Sequence, residues 1–451
     1  MLIDCSDLIA ENRPHCGQGV AVTDVDGDGT LEFLVTGTGT ANRVLKWNGQ
    51  RLVDTTDPAL LDATGQTVCL IAADIDGDGR EEIYACNQET ETGQADRLFA
   101  PFGARWLDLL TQPDNAEIAE TIHGQVAACL DRQGRGRYGF VVAQAGVPLA
   151  LYELDSRGRL VDSAEEAGLD LALDARAMVA LPLISERMDL FVQVDGADNA
   201  LFRNLGDGTF EDTAERRGVA DPRQHGRGLA VLDANGNGLF DLLCGAWQGS
   251  HRLFLQRAGG GFSEEAPSDL SLPSHLTSVL AADFDNDGFE ELLFINHGQP
   301  NRLFALRHEG WLEIEAGDAV EPRGLSTGAA IADIDGDGRL ELLINHSGTH
   351  QPLALFKAPP NPNGWLRVQP LTAAGAPARG AVVTCTIGNR TQRRALCAGS
   401  GYLSQMEPIA HFGLGEARRV DSIEVHWPDG SVALIHAPPI NRLITVPHPP
   451  E

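Results

Sequence analysis

Asp24, Asp26, Asp28 and Glu32 stand at positions 1, 3, 5 and 9 of a short acidic loop, with Gly29 at position 6. Acids at alternate positions around a glycine turn suit a hard divalent cation. Calcium fits best, because it takes six to eight oxygens at about 2.3–2.6 Å. The same grammar recurs in Asp74, Asp76, Asp78 and Glu82, in Asp283, Asp285, Asp287 and Glu291, and in Asp333, Asp335, Asp337 and Glu341. A softer copy reads Asp233, Asn235, Asn237 and Asp241, which predicts weaker binding there. Position 7 offers its backbone carbonyl, so its residue type is free: Thr30, Arg80, Leu239, Phe289 and Arg339. The expectation is about five calcium sites. An acidic β-turn without metal is the plain alternative, and five copies in phase argue against it.

These loops need strands on both sides. An EF-hand would place its last acid at position 12 and run into a helix. Here β-formers follow at once, as in Phe33-Leu34-Val35, Leu292-Leu293-Phe294 and Leu342-Leu343-Ile344. Asp24 and Asp74 lie 50 residues apart, as do Asp233, Asp283 and Asp333 in succession. Such a period marks a repeat architecture. The phase calls for two more units, near Asp131 and Leu181, whose loops have lost their ligands. Arg135 in the first of these stands where it could replace the ion's charge. Each unit continues with a third strand of Asn-Arg-Leu-Phe type (Arg43, Arg97, Arg252 and Arg302), where an ion pair between blades accounts for the arginine. A Gly-rich turn and a short fourth strand follow. Four short strands per unit, seven times over, predict an all-β, seven-bladed β-propeller over residues 1–357. An open β-solenoid is the alternative.

Residues 358–364 form a Pro/Gly/Asn linker. Short alternating runs follow at 365–368, 381–387, 391–396, 423–427 and 443–446, with turns at Gly388-Asn389 and Pro428-Asp429-Gly430. They predict a small β-sandwich or barrel over 358–451. Tyr402, Ser404 and Gln405 read either as a polar pocket of this unit or as a strand turn, and His411 as a buried, satisfied histidine.

The acidic loops over 15–357 resemble the FG-GAP/VCBS repeats of integrin α-like propellers. The C-terminal run resembles the ASPIC/UnbV domain through Gly399-Ser400-Gly401-Tyr402-Leu403-Ser404-Gln405, His411-Phe412-Gly413-Leu414-Gly415 and 420–430. Together they resemble the bacterial members of the cartilage acidic protein 1 family. The resemblance implies calcium on the loops, which stiffens the ring away from its ligand face. It does not name a reaction. UnbV-type proteins also occur in enediyne biosynthetic clusters, which implies an enzyme of secondary metabolism as the alternative.

That ligand face is the channel mouth, formed by the starts of the first strands and the ends of the second. Counting back from the loops places His15, His123, His225 and His275 there, and the second strands add His297 and His346. Two readings compete. One is a transition-metal or acid/base site. The other is hydrogen bonding between blades around a polar mouth. The expected partner is a small molecule, glycan or protein at this mouth.

The formal charge of −30 opposes binding to nucleic acid and anionic membrane surfaces. No apolar run reaches the length of a membrane span. The N-terminus lacks a signal-peptide pattern, which points to the cytoplasm, whereas calcium loops favour a secreted or periplasmic setting. Cys385 and Cys397 flank one hairpin out of register, so a disulfide is not expected there. The sequence does not indicate the oligomeric state.

Overall fold

The computed structural model describes residues 2–88, 95–103, 105–119, 122–348, 350–397 and 402–450. Strands dominate, and the helices are single turns. Seven four-stranded antiparallel sheets precede residue 358. Six use four consecutive strands, beginning with Val20–Thr23, Glu32–Val35, Arg43–Trp47 and Leu52–Asp54. In each sheet the acidic loop, or its decayed counterpart, joins the first two strands. Across the Asp24 loop, Thr23 pairs with Glu32 and Val20 with Val35.

First and second strands are buried on both faces, which is why Thr67–Ala73 reads as one apolar run. Outer strands such as Leu52–Asp54 bury little. The first strands pack side by side in chain order. Ser326–Ala332 of the last sheet packs on Val20–Thr23 of the first, so the sheets form a β-propeller.

The last sheet draws only three strands from its own repeat. Its outer strand is Ile3–Asp4, with Ile3 opposite Lys357 and Asp4 opposite Phe356. The sequence pattern began the repeats at residue 15 and missed this, because two residues show no alternation.

Beyond the linker lie a three-stranded sheet (Ala410–Gly415, Gly364–Pro370, Leu443–Val446) and a four-stranded one (Arg390–Ala395, Val382–Ile387, Ser422–His426, Val432–His436). They share a core that includes Leu366, Val368, Val383, Phe412, Ile423 and Val425. Ala410–Gly415 and Val432–His436 are strands the sequence reading did not anticipate.

These sheets sit on the loop end of the propeller. Arg367 reaches Asp333 at 3.1 Å, Arg390 donates to the Asp287 carbonyl at 3.0 Å, and the Gly413 N–H donates to Asp283 at 3.1 Å. Arg379 is fully buried and forks onto Glu81 at 2.6 and 3.2 Å.

Residues 402–406 turn into the central channel instead of staying with their own sheets. Gln405 is fully buried. Its N–H donates to the Val20 carbonyl at 3.0 Å, and its carbonyl accepts from the Val22 N–H at 3.1 Å. Its side chain accepts from the Ala72 N–H at 2.8 Å and donates to the Ala72 carbonyl at 3.1 Å. Buried backbone requires such partners. Gly19 makes room for the segment, since a Cβ there would lie 2.2 Å from the Leu403 carbonyl oxygen. Tyr402, Ser404 and Gln405 therefore form neither a pocket within the C-terminal sheets nor a simple turn. Gln405→Leu would leave both Ala72 backbone groups unpaired and is expected to cost about 2–4 kcal/mol in chemical denaturation. An unchanged midpoint would contradict this role.

Candidate metal loops and the channel mouth

All five acidic loops hold their end carboxylates alike. The first aspartate accepts the N–H of the glycine at position 6: Gly29 to Asp24 at 2.8 Å, Gly79 to Asp74 at 3.0 Å, Gly238 to Asp233 at 2.9 Å, Gly288 to Asp283 at 2.7 Å and Gly338 to Asp333 at 2.9 Å. The position-9 acid accepts the N–H at position 2: Val25 to Glu32 at 2.7 Å, Ile75 to Glu82 and Ala234 to Asp241 at 2.8 Å, Phe284 to Glu291 at 3.0 Å and Ile334 to Glu341 at 2.8 Å. Other oxygens are left facing inward. Glu82 Oε1, Asp283 Oδ1, Glu291 Oε1 and Asp333 Oδ1 are buried without a hydrogen-bond partner. Such orphaned buried oxygens are costly unless a cation meets them.

In four loops, three carboxylates bring oxygens within 4.8 Å of one another: Asp24, Asp26 and Glu32; Asp74, Asp76 and Asp78; Asp283, Asp285 and Glu291; Asp333, Asp335 and Glu341. Burial pushes the Glu291 carboxyl up to about 9, those of Asp283 and Glu82 to about 8, and that of Asp74 to about 6. An all-oxygen set of this kind suits calcium or another hard divalent ion and not a thiophilic one. The fifth loop, with Asn235 and Asn237, has fewer charges, and burial lifts its Asp241 to about 6.

Two loops differ in a way their own sequence does not show. The Lys46 ammonium lies 2.6 Å from Asp26, 2.7 Å from Asp28 and 3.0 Å from Glu32. Hydrogen bonds from Lys46 and then from Thr30 hold the Asp28 carboxyl down at about 2. Lys357 does the same in the last loop, 2.5 Å from Asp335 and Glu341 and 3.0 Å from Asp337. Both lysines come from third strands, where each faces the position-9 acid across the sheet. A divalent ion in these loops must displace an ammonium. Lys46→Met is therefore expected to raise the first loop's calcium affinity about tenfold or more in calorimetry. Unchanged affinity would show that the lysine does not compete.

The decayed loops are satisfied internally. Asp189 accepts N–H bonds from Leu183, Ile184 and Ser185 at 3.1, 2.7 and 2.8 Å. In the Asp131 loop the buried cation is Arg132, 2.9 Å from Glu153, whereas Arg135 is exposed. The Asp131 carboxylate accepts the Gly136 N–H at 2.6 Å, and Arg132 pairs with Glu153 and Glu166. Of the recurring arginines, Arg252 reaches Asp221 of the neighbouring unit at 3.3 Å, and Arg97 reaches Asp62 of the neighbouring unit at 3.8 Å as well as Asp108 of its own sheet at 3.2 Å. Arg43 and Arg302 instead pair within their own sheets, with Asp54 and Glu313.

Of the six candidate histidines, His275 and His297 share Trp247, at 4.9 and 6.1 Å. Among the described residues, the metal-type clusters all lie in the acidic loops. His15 bonds the Thr36 carbonyl at 2.8 Å, and burial lowers its pKa. His225 meets Asp195 at 2.7 Å, His275 stacks on Trp247 at 4.9 Å, and His297 bonds the Ser326 carbonyl at 3.3 Å. His346 bonds the Pro352 carbonyl at 2.8 Å, and the His123 backbone N–H donates to the Gln144 side-chain oxygen at 3.1 Å, while its Nδ1 is buried without a hydrogen-bond partner. The contacts of His225, His275 and His297 run between neighbouring sheets, whereas His15 and His346 bond carbonyls of their own repeat. His411 bonds Asn286 at 2.6 Å, and burial takes its pKa well down.

The mouth is lined by different residues. Gln18, Val68, Gln125 and Arg227 each stand six residues before their loop's first acid. Pairing slips around Val68, Arg176 and Arg227, in bulges that free each residue from the ladder. With Gln88, Tyr402 and Leu403 they line a cavity of about 200 Å³. The channel segment supplies its floor. The shared position was readable in the sequence, but the bulge and the inserted segment were not.

A model of the FG-GAP-like repeat matches residues 24–85, 186–244, 233–294 and 283–344, and a model of ASPIC and UnbV matches 372–451. The chain is 40% identical to cartilage acidic protein 1 of Xenopus tropicalis, covering 98% of this chain and 75% of the relative. It is 41% identical to cartilage acidic protein 1 of Mus musculus, covering 93% and 72%. The BP39L lectin from Burkholderia pseudomallei shares the fold at a TM-score of 0.51 and 12% identity, covering 76% of this chain and 95% of the lectin.

Proposed function

This chain belongs to the cartilage acidic protein 1 family, and from that premise we propose that it is a calcium-binding, seven-bladed propeller acting as a binding module. The seven sheets are its blades, in a domain of residues 1–357. Residues 358–451 form a second, β-sandwich domain. Calcium on the five loops stiffens the ring, most tightly at the loops of Asp74, which has no paired cation among the described residues, and Asp283, where Arg307 stands off at 4.0 and 3.8 Å from Asp285 and Asp287. No helix among the described residues is long and apolar enough to cross a membrane.

One observation carries the reading. The second domain covers the loop end of the ring and inserts residues 402–406 into the channel, so the opposite mouth keeps a concave, polar-lined cavity. Concave sites with a few convergent polar groups are where ligands bind by default. The partner is a small molecule, glycan or protein that reaches this mouth.

A screen of such ligands on calcium-loaded protein tests the reading with Gln125→Trp, which fills the cavity. Ligands of the parent should lose binding to this variant while its metal content is unchanged. Ligands that bind both forms equally would place the site elsewhere.

A further inference from the structure

Two arginines face the mouth cavity, and their surroundings differ. Arg176 is neutralised by Asp174 at 3.1 Å and Asp195 at 3.2 Å. Arg227 has no carboxylate partner among the described residues. Its guanidinium lies over Trp247 at 5.6 Å and over Tyr402 at 5.2 Å, and it donates to the Tyr402 hydroxyl at 3.0 Å. Two aromatic faces and one hydroxyl fix its plane while leaving most of its donors unused. An arginine fork held in place suits the two oxygens of a carboxylate.

The rest of the cavity is amide. The side chains of Gln18, Gln88 and Gln125 make no hydrogen bond to another described residue, and all three border the cavity. A primary amide both donates and accepts, which matches hydroxyl groups. The volume of about 200 Å³ falls below that of a drug-sized pocket and holds a single ring.

Resting on the binding-module reading, we infer that the mouth binds an acidic sugar, with its carboxylate on Arg227 and its hydroxyls on the three glutamines. The second domain completes the site, because Tyr402 comes from the inserted segment. The ligand is either a free sugar acid or the acidic end of a glycan chain, since both present the same ring.

The test is calorimetry on the calcium-loaded, full-length protein with glucuronate, with glucose as the neutral control. Glucuronate should bind and glucose should bind at least tenfold more weakly. Arg227→Gln should weaken glucuronate roughly 10- to 100-fold. Tyr402→Phe keeps the ring and removes only the hydroxyl, and it should cost a few-fold at an unchanged melting temperature. An oligosaccharide ending in glucuronate separates the sources: stronger binding than the free acid indicates a chain end, and weaker binding a free metabolite. Equal binding of glucose, or full binding by Arg227→Gln, would overturn the inference. So would no glucuronate binding by a parent protein that still loses another ligand on Gln125→Trp, an outcome that leaves the mouth as the site but with a different ligand class.

Discussion

Stripping divalent ions with a chelator at pH 8 should lower the melting temperature by about 10 °C. A site held at a hundredfold excess of calcium over its Kd contributes about 2.7 kcal/mol. A chain of 451 residues shifts by about 1 °C per kcal/mol, from an unfolding entropy of roughly 2 cal/mol/K per residue. Four filled loops therefore correspond to about 10 °C. The gap should depend on pH. Burial raises Glu82 and Asp283 to about 8 and Glu291 to about 9 in the ion-free fold. In the unfolded chain such groups ionise near 4. Their ion-free contribution to stability is thus intact below about pH 4 and is lost as pH rises to about 9. Calcium binds the ionised form and removes that loss. The difference between calcium-loaded and stripped protein should widen from pH 5.5 to pH 9. A gap that stays constant with pH would show that these carboxylates are not the ligands.

Arg379→Met should cost about 3–5 kcal/mol in chemical denaturation. The ion pair between Arg379 and Glu81 is almost wholly buried, with the two side chains 1% and 3% exposed. Thr23 also donates to Glu81. Removing one partner leaves a buried charge uncompensated, whereas replacing both by neutral groups costs much less. The double variant Arg379→Met with Glu81→Gln should therefore recover most of the loss. Glu81 precedes the loop acid Glu82, so this pair fastens the second domain beside an acidic loop. A double variant as unstable as the single one would mean that packing of the arginine, and not its charge, is what matters.

The loops were legible because their chemistry is local. Ligand positions, the glycine and the strands that follow all lie within a dozen residues of Asp24 or Asp283, and a 50-residue phase repeats them. What escaped was non-local. Lys46 and Lys357 enter loops from another strand, where spacing along the chain says nothing about register. Ile3–Asp4 completes a sheet more than three hundred residues away. Residues 402–406 have neither a strand nor a helix period, and their burial depends on partners in the first two sheets. For the histidines the sequence left two readings open, because a repeat puts equivalent positions on one face while a ring spreads them around its axis; His225 and His275 meet residues of the neighbouring repeat, a register that spacing along the chain does not give.

The most direct measurement is a calcium titration by calorimetry on chelator-stripped protein at pH 7.5, with metal analysis of the protein as purified. The account predicts four to five calcium ions per chain. Two should be bound tightly, by the loops of Asp74 and Asp283, and zinc, copper and iron should be absent. No binding at millimolar calcium, or a transition metal held in place of calcium, would contradict it.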